Sequence, residues 1–96
     1  MDVTNIKNCI LRKESSLKIS TKWEDQESFY LFLKLLKFMT QLQRLDISDC
    51  KIDDRMCQNL SEALKSNSTL TNLILYNNKI GIVGCKYLLE ALKLNS

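Results

Sequence analysis

Two stretches of this chain repeat each other at a spacing of twenty-eight residues. The segment from Leu42 to Ser68 returns as the segment from Leu70 to Ser96, and twelve of the twenty-seven aligned positions are identical. A fixed period of this length is typical of a solenoid, in which each copy is one supersecondary unit stacked on its neighbours. The repeat therefore predicts a single elongated domain whose functional part is a face rather than a set of catalytic residues.

Each repeat changes its hydrophobic period part-way along. Leu42, Leu45 and Ile47 are spaced as L-x-x-L-x-L, and their alternation with polar residues predicts a short, half-buried strand. Leu60 and Leu64 then share one face of a helix with other apolar residues. The second copy follows the same pattern. Stacked strand–helix units predict an α/β fold with a parallel sheet on one face and the helices outside it.

The first part of the chain looks like a worn copy of the same unit. A step of twenty-eight residues back from Leu45 and Ile47 reaches Leu17 and Ile19, and Glu27 to Met39 is the helix expected to follow. Aromatic residues, including Trp23, are expected to close the core because terminal repeats are usually atypical. The predicted units are an edge or cap segment at 1–13, a degenerate repeat at 14–41, a second repeat at 42–69 and a third at 70–96. Within the cap, Val3 to Leu11 is either an extra edge strand or the stump of an earlier repeat.

Polar residues at fixed positions of the unit have predicted structural roles. Cys50 and Asn78 occupy the ninth position of their repeats, where a small polar side chain can satisfy backbone groups of the turn after the strand. Asp53 and Asp54 precede the second helix, where carboxylates favour the positive end of the dipole. This role is preferred to a metal site for the pair. Cys57 and its counterpart Cys85 are expected to be inward-facing core thiols.

The residue inventory argues against an enzyme. The chain has no histidine to act as a base and no phosphate-binding glycine motif, and its cysteines lack the paired spacing of a zinc site. We therefore expect no cofactor and no metal. The net charge of +3 is carried by scattered basic residues, so no nucleic-acid partner is expected. Without a signal peptide or an apolar run long enough to span a bilayer, we expect a cytoplasmic protein without a membrane partner.

These motifs resemble the leucine-rich repeats of the ribonuclease-inhibitor type. The resemblance rests on the L-x-x-L-x-L-x-x-(N/C)-x-(L/I) pattern, the twenty-eight-residue period and the Glu-Ala-Leu-Lys-x-Asn helix ends. It is strong from Leu42 to Ser96 and weak from Leu17 to Met39. The resemblance implies a short horseshoe arc and a protein-binding role, as in the repeat region of NOD-like innate immune receptors. The alternative is a regulatory repeat protein of the Ran GTPase-activating or tropomodulin-like actin-capping kind.

The face formed by the variable strand positions is the candidate binding surface. In an L-x-x-L-x-L strand the x residues point to the side opposite the core. Across the three units they form three predicted rows: Ser16, Arg44 and Asn72; Lys18, Asp46 and Ile74; Ser20, Ser48 and Tyr76. Asp49 and Asn77 extend the rim. Exposed apolar and aromatic residues are typical interface anchors. We therefore predict a concave protein-binding surface made of Lys18, Arg44, Asp46, Ser48, Asp49, Asn72, Ile74, Tyr76 and Asn77.

The last repeat leaves an apolar edge without a polar capping unit after it. Terminal caps normally shield such an edge from water. Three explanations are open. The favoured explanation is that the chain is a fragment of a longer array. A second is that the open edge pairs with another copy of the chain, and a third is that the last helix suffices as a cap.

Overall fold

The computed structural model describes residues 4–19, 23 and 25–94. Helices and strands alternate along the chain. The helices are α1 (Thr4–Leu11), α2 (Gln26–Leu35), α3 (Asp54–Lys65) and α4 (Ile82–Leu94), with a 3-10 turn at Leu36–Phe38 after α2. The strands are β1 (Ser16–Lys18), β2 (Arg44–Asp46) and β3 (Asn72–Ile74). None of these helices is both long enough and apolar enough to cross a membrane.

The three strands form one parallel sheet in the order β1-β2-β3. Leu17 is in register with Leu45, and Leu45 with Leu73, so every strand residue pairs with the residue twenty-eight positions later. The period of the sequence is therefore the register of the sheet. The predicted α/β fold of about three stacked strand–helix units is confirmed.

The core lies between the sheet and the helices. Leu17 and Leu45 point from the strands into it, and Phe29, Phe32 and Leu60 meet them from the helices. Trp23 extends this core at its N-terminal end. Its ring centroid lies 5.1 Å from that of Phe29 and 5.2 Å from that of Phe32. Edge-to-face and tilted ring pairs of this kind stabilise a core beyond the area that they bury.

Two predicted elements differ from the structure. Thr4–Leu11 is the helix α1, so an edge strand in this segment is wrong; Val3 lies outside the described residues. Ile6 and Cys9 are three residues apart and buried, and α1 contacts β1. The helix predicted to reach Met39 ends at Leu35 and tightens into the 3-10 turn. Such turns are frequent at helix ends because they satisfy some of the last carbonyl groups.

The Asn78 side chain joins the turns of two successive units. Its Oδ1 accepts hydrogen bonds from the backbone N–H groups of Cys50 at 3.0 Å and Ile52 at 2.9 Å. Its Nδ2 donates to the carbonyls of Ile47 and Leu75, both at 3.1 Å. One unit earlier, the Cys50 thiol lies 3.3 Å from the carbonyl oxygen of Ile19. The predicted role of the ninth repeat position is therefore confirmed.

Aspartates fix the starts of α2 and α3. Asp25 accepts a hydrogen bond from the backbone N–H of Ser28 at 2.7 Å, and Asp53 accepts one from Met56 at 2.9 Å. The hydrogen bond from Ser28 lowers the pKa of Asp25. These residues are twenty-eight positions apart, so the N-cap is part of the repeat. The predicted position of Asp53 at the helix start is confirmed.

Asp54 has a second role that links α3 to the next unit. Its Oδ1 accepts a hydrogen bond from the backbone N–H of Gly81 at 2.6 Å. A Cβ atom on Gly84 would lie 2.5 Å from the same oxygen, so a side chain at this position would require the Asp54 carboxylate to move. Glycine at position 84 therefore permits the close approach of α4 to the Asp54 carboxylate.

The four cysteines do not share one environment. Cys9, Cys50 and Cys57 are buried, whereas Cys85 is exposed. The prediction that Cys85 is an inward-facing core thiol is therefore wrong. Cys57 is covered because α4 packs against α3, and within the described part of the chain no element covers the same position of α4. Burial raises the pKa of Cys50 and of Cys57 to about 11, and raises the pKa of Cys9 as well.

We predict that Asn78→Ala lowers the free energy of unfolding by about 2–4 kcal/mol, because it leaves several turn groups without hydrogen-bond partners. Chemical denaturation monitored by circular dichroism measures the change. Asn77→Gly is the matched control, since it also removes an amide but retains a backbone tolerant of positive φ. The control should cost less than about 1 kcal/mol, because the lost hydrogen bond is exposed. Equal losses for the two variants would contradict the role given to Asn78.

We also predict that a thiol reagent modifies Cys85 rapidly in the folded chain and the three other cysteines slowly. The thiolate is the reactive form, and burial protects Cys9, Cys50 and Cys57 while raising their pKa values. Mass spectrometry after brief labelling at neutral pH gives the number and position of the modified thiols. Removal of the rapid phase by Cys85→Ser would confirm the assignment. Rapid labelling of Cys50 or Cys57 in the folded chain would contradict it.

Candidate protein-binding surface

The variable strand residues form two continuous rows across the sheet. Ser16, Arg44 and Asn72 are in register in the first row, and all three side chains are exposed. The second row is formed by Lys18, Asp46 and Ile74. In each strand the leucine between the two rows packs against the core, so these rows lie on the opposite side of the sheet.

The third predicted row lies just beyond the strands. Ser20 is outside the described residues, which leaves Ser48 and Tyr76 in this row. The backbone N–H of Tyr76 donates a hydrogen bond to the Ser48 hydroxyl oxygen at 2.9 Å. This contact fixes the backbone of Tyr76 while its side chain remains 77% exposed. Ile74, two residues earlier on β3, is half-buried and belongs to the neighbouring row.

A hydrogen-bonded pair forms the rim of this surface. The Asn77 Nδ2 donates to the Asp49 Oδ1 at 2.7 Å, and both side chains are exposed. Their backbones have φ angles of 58° and 57°, in the left-handed region. Asparagine and aspartate tolerate this conformation better than most residues. In the turns after β2 and β3, these two residues therefore adopt the left-handed backbone and also expose polar side chains.

Asp46 is held as a carboxylate near the centre of the surface. Its Oδ1 accepts a hydrogen bond from the backbone N–H of Ser48 at 3.0 Å. This hydrogen bond is the main cause that lowers the pKa of Asp46, and the positive charges of Lys18 and Arg44 lower it further. The surface thus carries charges of both signs beside the apolar Ile74 and the aromatic Tyr76.

This set of exposed polar, charged and aromatic side chains is suited to binding the surface of another molecule. The structure brings together the predicted residues Lys18, Arg44, Asp46, Ser48, Asp49, Asn72, Ile74, Tyr76 and Asn77 on adjacent strands and their following turns. Aromatic and arginine side chains are enriched at interface centres, where a mixed-charge surround sets orientation and specificity.

A cleft on the helical side was not foreseen from the sequence. It has a volume of about 480 Å³ and lies between the C-terminal ends of α2 and α3. Leu33, Leu36 and Met39 contribute apolar walls, and Lys34 and Lys37 contribute charge. The helical spacing of these residues is visible in the sequence. Their position opposite the end of α3 depends on how the two helices pack.

The chain is similar in sequence to known proteins. It is 34% identical over 92 residues to "NACHT, LRR and PYD domains-containing protein 14" of Homo sapiens, a match that covers 93% of this chain. It is 29% identical over 69 residues to "Ribonuclease inhibitor" of Sus scrofa, covering 72% of this chain. The chain is a ribonuclease-inhibitor-type leucine-rich-repeat protein. No protein-family profile matches it.

The leucine-rich-repeat chain is short beside these relatives. It spans 8% of the length of the Homo sapiens protein and 15% of that of the Sus scrofa inhibitor. A solved structure, "Leiomodin-1 Actin-Binding Site 2 (ABS2)", superposes with a TM-score of 0.78 over 95% of this chain and 54% of its own. The two are 21% identical, so this likeness establishes the common fold.

We predict that the stability difference between the natural chain and Asp46→Asn decreases as the pH falls from about 5 to about 3. The pKa of Asp46 is lowered in the folded state, so its charge stabilises the fold above the pKa of the unfolded chain. That contribution is lost as the pH falls through the folded pKa. Urea denaturation of both proteins measures the difference, and every other carboxyl group is common to both. A difference that is constant over this range would contradict the prediction.

Proposed function

We propose that this chain is a non-enzymatic protein-interaction module that binds its partner on the concave strand face. The observation that carries the proposal is the exposure of Tyr76 beside Ile74 on a surface that is otherwise polar. Tyrosine buries a large area at low cost in conformational entropy and is frequent among residues that dominate binding energy. The turn already holds the Tyr76 backbone, which reduces the cost of ordering this side chain on binding.

The charges around this anchor define the kind of partner. Lys18 and Arg44 are interspersed with Asp46 and Asp49, so the surface lacks the uniformly positive stripe of a nucleic-acid binder. Opposite charges at fixed positions favour one orientation of a folded protein over others. The expected partner is therefore a protein surface with an apolar pocket for Tyr76 and complementary charges around it.

The proposed biological context is the repeat region of a NOD-like innate immune sensor in the cytoplasm. The similarity to "NACHT, LRR and PYD domains-containing protein 14" along nearly the whole chain supports this context. A second relative, "NACHT, LRR and PYD domains-containing protein 6" of Homo sapiens, is 37% identical over 62 residues, which are 65% of this chain and 7% of that protein. In this context the chain supplies recognition and another part of a larger protein supplies any enzymatic activity.

The alternative is a regulatory repeat protein of the Ran GTPase-activating or tropomodulin-like actin-capping kind. The likeness to "Leiomodin-1 Actin-Binding Site 2 (ABS2)" concerns the fold alone, because the two chains are 21% identical. Co-sedimentation with filamentous actin separates the two contexts. The proposed sensor context predicts that the chain stays in the supernatant, and saturable pelleting with actin would favour the alternative.

We predict that Tyr76→Ala combined with Ile74→Asp weakens partner binding by at least about tenfold, the loss expected when interface anchors are removed. Quantitative mass spectrometry of proteins captured by the natural chain identifies partners, and titration calorimetry then compares their affinities. Because Ile74 is half-buried, Tyr76→Ala alone is measured in parallel, with circular dichroism as the check of folding.

The matched control replaces an exposed tyrosine and an exposed aliphatic residue on α2. Tyr30→Ala combined with Leu31→Asp makes the same chemical changes on the helical side of the molecule. This control should retain the partner affinity of the natural chain. Unchanged affinity in both the Tyr76→Ala single variant and the concave double variant would refute the proposed site.

A further inference from the structure

The cleft on the helical side is bounded by two segments that are held by their own hydrogen bonds. One wall is the 3-10 turn after α2, in which the backbone N–H of Met39 donates to the Leu36 carbonyl at 3.0 Å. The other wall is the turn after α3, where the Asn67 Oδ1 accepts from the N–H groups of Thr69 at 2.9 Å and Leu70 at 2.8 Å. A recess with fixed walls binds a ligand at a lower cost in ordering.

The interior of the cleft is apolar and uncharged. Leu33, Leu36, Met39 and Ala63 contribute apolar walls. The polar residues beside them carry no charge: Thr40, Ser66, Asn67, Ser68 and Thr69. A recess of about 480 Å³ can accept an apolar side chain that protrudes from a peptide, whereas the flat surface of a bilayer cannot enter it.

Two exposed lysines, Lys34 and Lys37, stand at the opening of the cleft. The Nζ atom of Lys34 lies 4.6 Å from the centroid of the Tyr30 ring, and that of Lys37 lies 5.5 Å from the centroid of the Phe38 ring. Among the described residues, neither lysine forms a salt bridge, and no carboxylate lines the cleft. The rings attract the ammonium groups but do not neutralise them, so both can still bind a carboxylate.

The opening stays positive when the helix ends are included. The C-terminal ends of α2 and α3 each carry about half a negative charge. Lys34 and Lys37 are fully charged, and Lys65 at the end of α3 is paired with Glu62 at 3.1 Å. About one positive charge therefore remains, and it favours an anionic group at the opening.

Stacking of repeat units does not cover this outer face. Helix α3 packs against α2 and against α4, yet Gln58 and Ser66 on α3 and just after it remain exposed. These two residues are twenty-eight positions after Tyr30 and Phe38. The exposure of the two aromatic residues is therefore a property of the outer surface, on which Phe38 is 57% exposed. The cleft itself lies between two units that are already stacked, so further units at either end would leave it open.

We propose that this cleft binds a short acidic segment of a partner protein. One apolar side chain of the segment enters the cleft between the ends of α2 and α3, and flanking carboxylates bind Lys34 and Lys37. Phe38, which lies against Lys37, extends the apolar contact outside the cleft. The site is on the helical side of the molecule, so this inference goes beyond the proposed function, and either proposal can fail without the other.

Selection from a phage-displayed library tests the proposal on the 96-residue chain, with random peptides of about twelve residues, roughly three helical turns. The enriched peptides are expected to carry aspartate or glutamate on both sides of a large apolar residue. Their synthetic copies should bind Tyr76→Ala as tightly as the natural chain, which separates this site from the concave face. The proposal is overturned if no enriched peptide binds independently of Tyr76, or if those that do lack carboxylates.

Charge reversal tests the role of the two lysines. Lys34→Glu combined with Lys37→Glu should weaken binding of an enriched peptide by at least about tenfold in titration calorimetry. A peptide whose acidic residues are replaced by lysine should then bind this variant better than the natural chain. The matched control is Lys79→Glu combined with Lys86→Glu, which makes the same change in net charge at exposed lysines of the last repeat. Equal losses in the two double variants would overturn the proposal.

Filling the cleft tests the insertion of an apolar side chain without a change in charge. Thr40 is exposed and lines the cleft, so Thr40→Trp should occupy the recess and weaken peptide binding by at least about tenfold. Circular dichroism checks that each variant is folded, and unchanged affinity in folded Thr40→Trp would overturn the insertion. Co-sedimentation with vesicles of phosphatidylcholine and phosphatidylserine tests a membrane as the occupant. The natural chain should stay in the supernatant, and vesicle binding that the Lys34→Glu, Lys37→Glu variant lacks would overturn the proposal.

Discussion

The hydrogen bonds of the Asn78 side chain are the interaction on which the rest of the structure depends. Each strand of this sheet has only three residues, and the turn that follows runs inward over the core. Backbone groups left there without partners would cost more than such a short strand contributes. The Asn78 side-chain amide bonds backbone groups of two successive turns. It accepts from the N–H groups of Cys50 and Ile52 in one unit and donates to the carbonyl of Leu75 in its own unit. The stacking of units follows from this shared side chain.

Because the buried residues and the Asn78 hydrogen bonds hold the units together, the exposed positions can differ from one repeat to the next. The buried leucines recur at each step of twenty-eight residues, whereas Asp46 becomes Ile74 on the concave face. On the helical side, Ser61 is buried where α3 packs against α4, whereas its counterpart Leu89 is exposed. Both changes replace a polar residue by an aliphatic one where the repeat alone does not require it. The proposed concave site therefore lies at positions that the repeated buried residues leave free to vary.

Periodicity alone predicted much of the fold. It gave the parallel register, the strand positions and the role of Asn78, because each depends on contacts that recur in every unit. It did not reveal α1, the tightening of the chain after Leu35 or the exposure of Cys85. Those features lie in the first and last units that the structure describes, where the described contacts come from a neighbouring unit on one side. The link from Asp54 to Gly81 was also missed, since an aspartate at a helix start already has an explanation within its own helix. The concave residues could be listed from their alternation, but the backbone contact that holds Tyr76 depends on the pairing of two units.

The most direct measurement of the central constraint is amide hydrogen exchange of the natural chain, resolved by residue. The N–H groups of Cys50 and Ile52 lie in an irregular turn, and within the described part of the chain both donate to the Asn78 side chain. If this side chain holds the stack together, both amides exchange as slowly as the strand amides of β2, because they open only when the units separate. Exchange of Cys50 and Ile52 at the rate of a freely exposed turn would show that the stack is held together without Asn78.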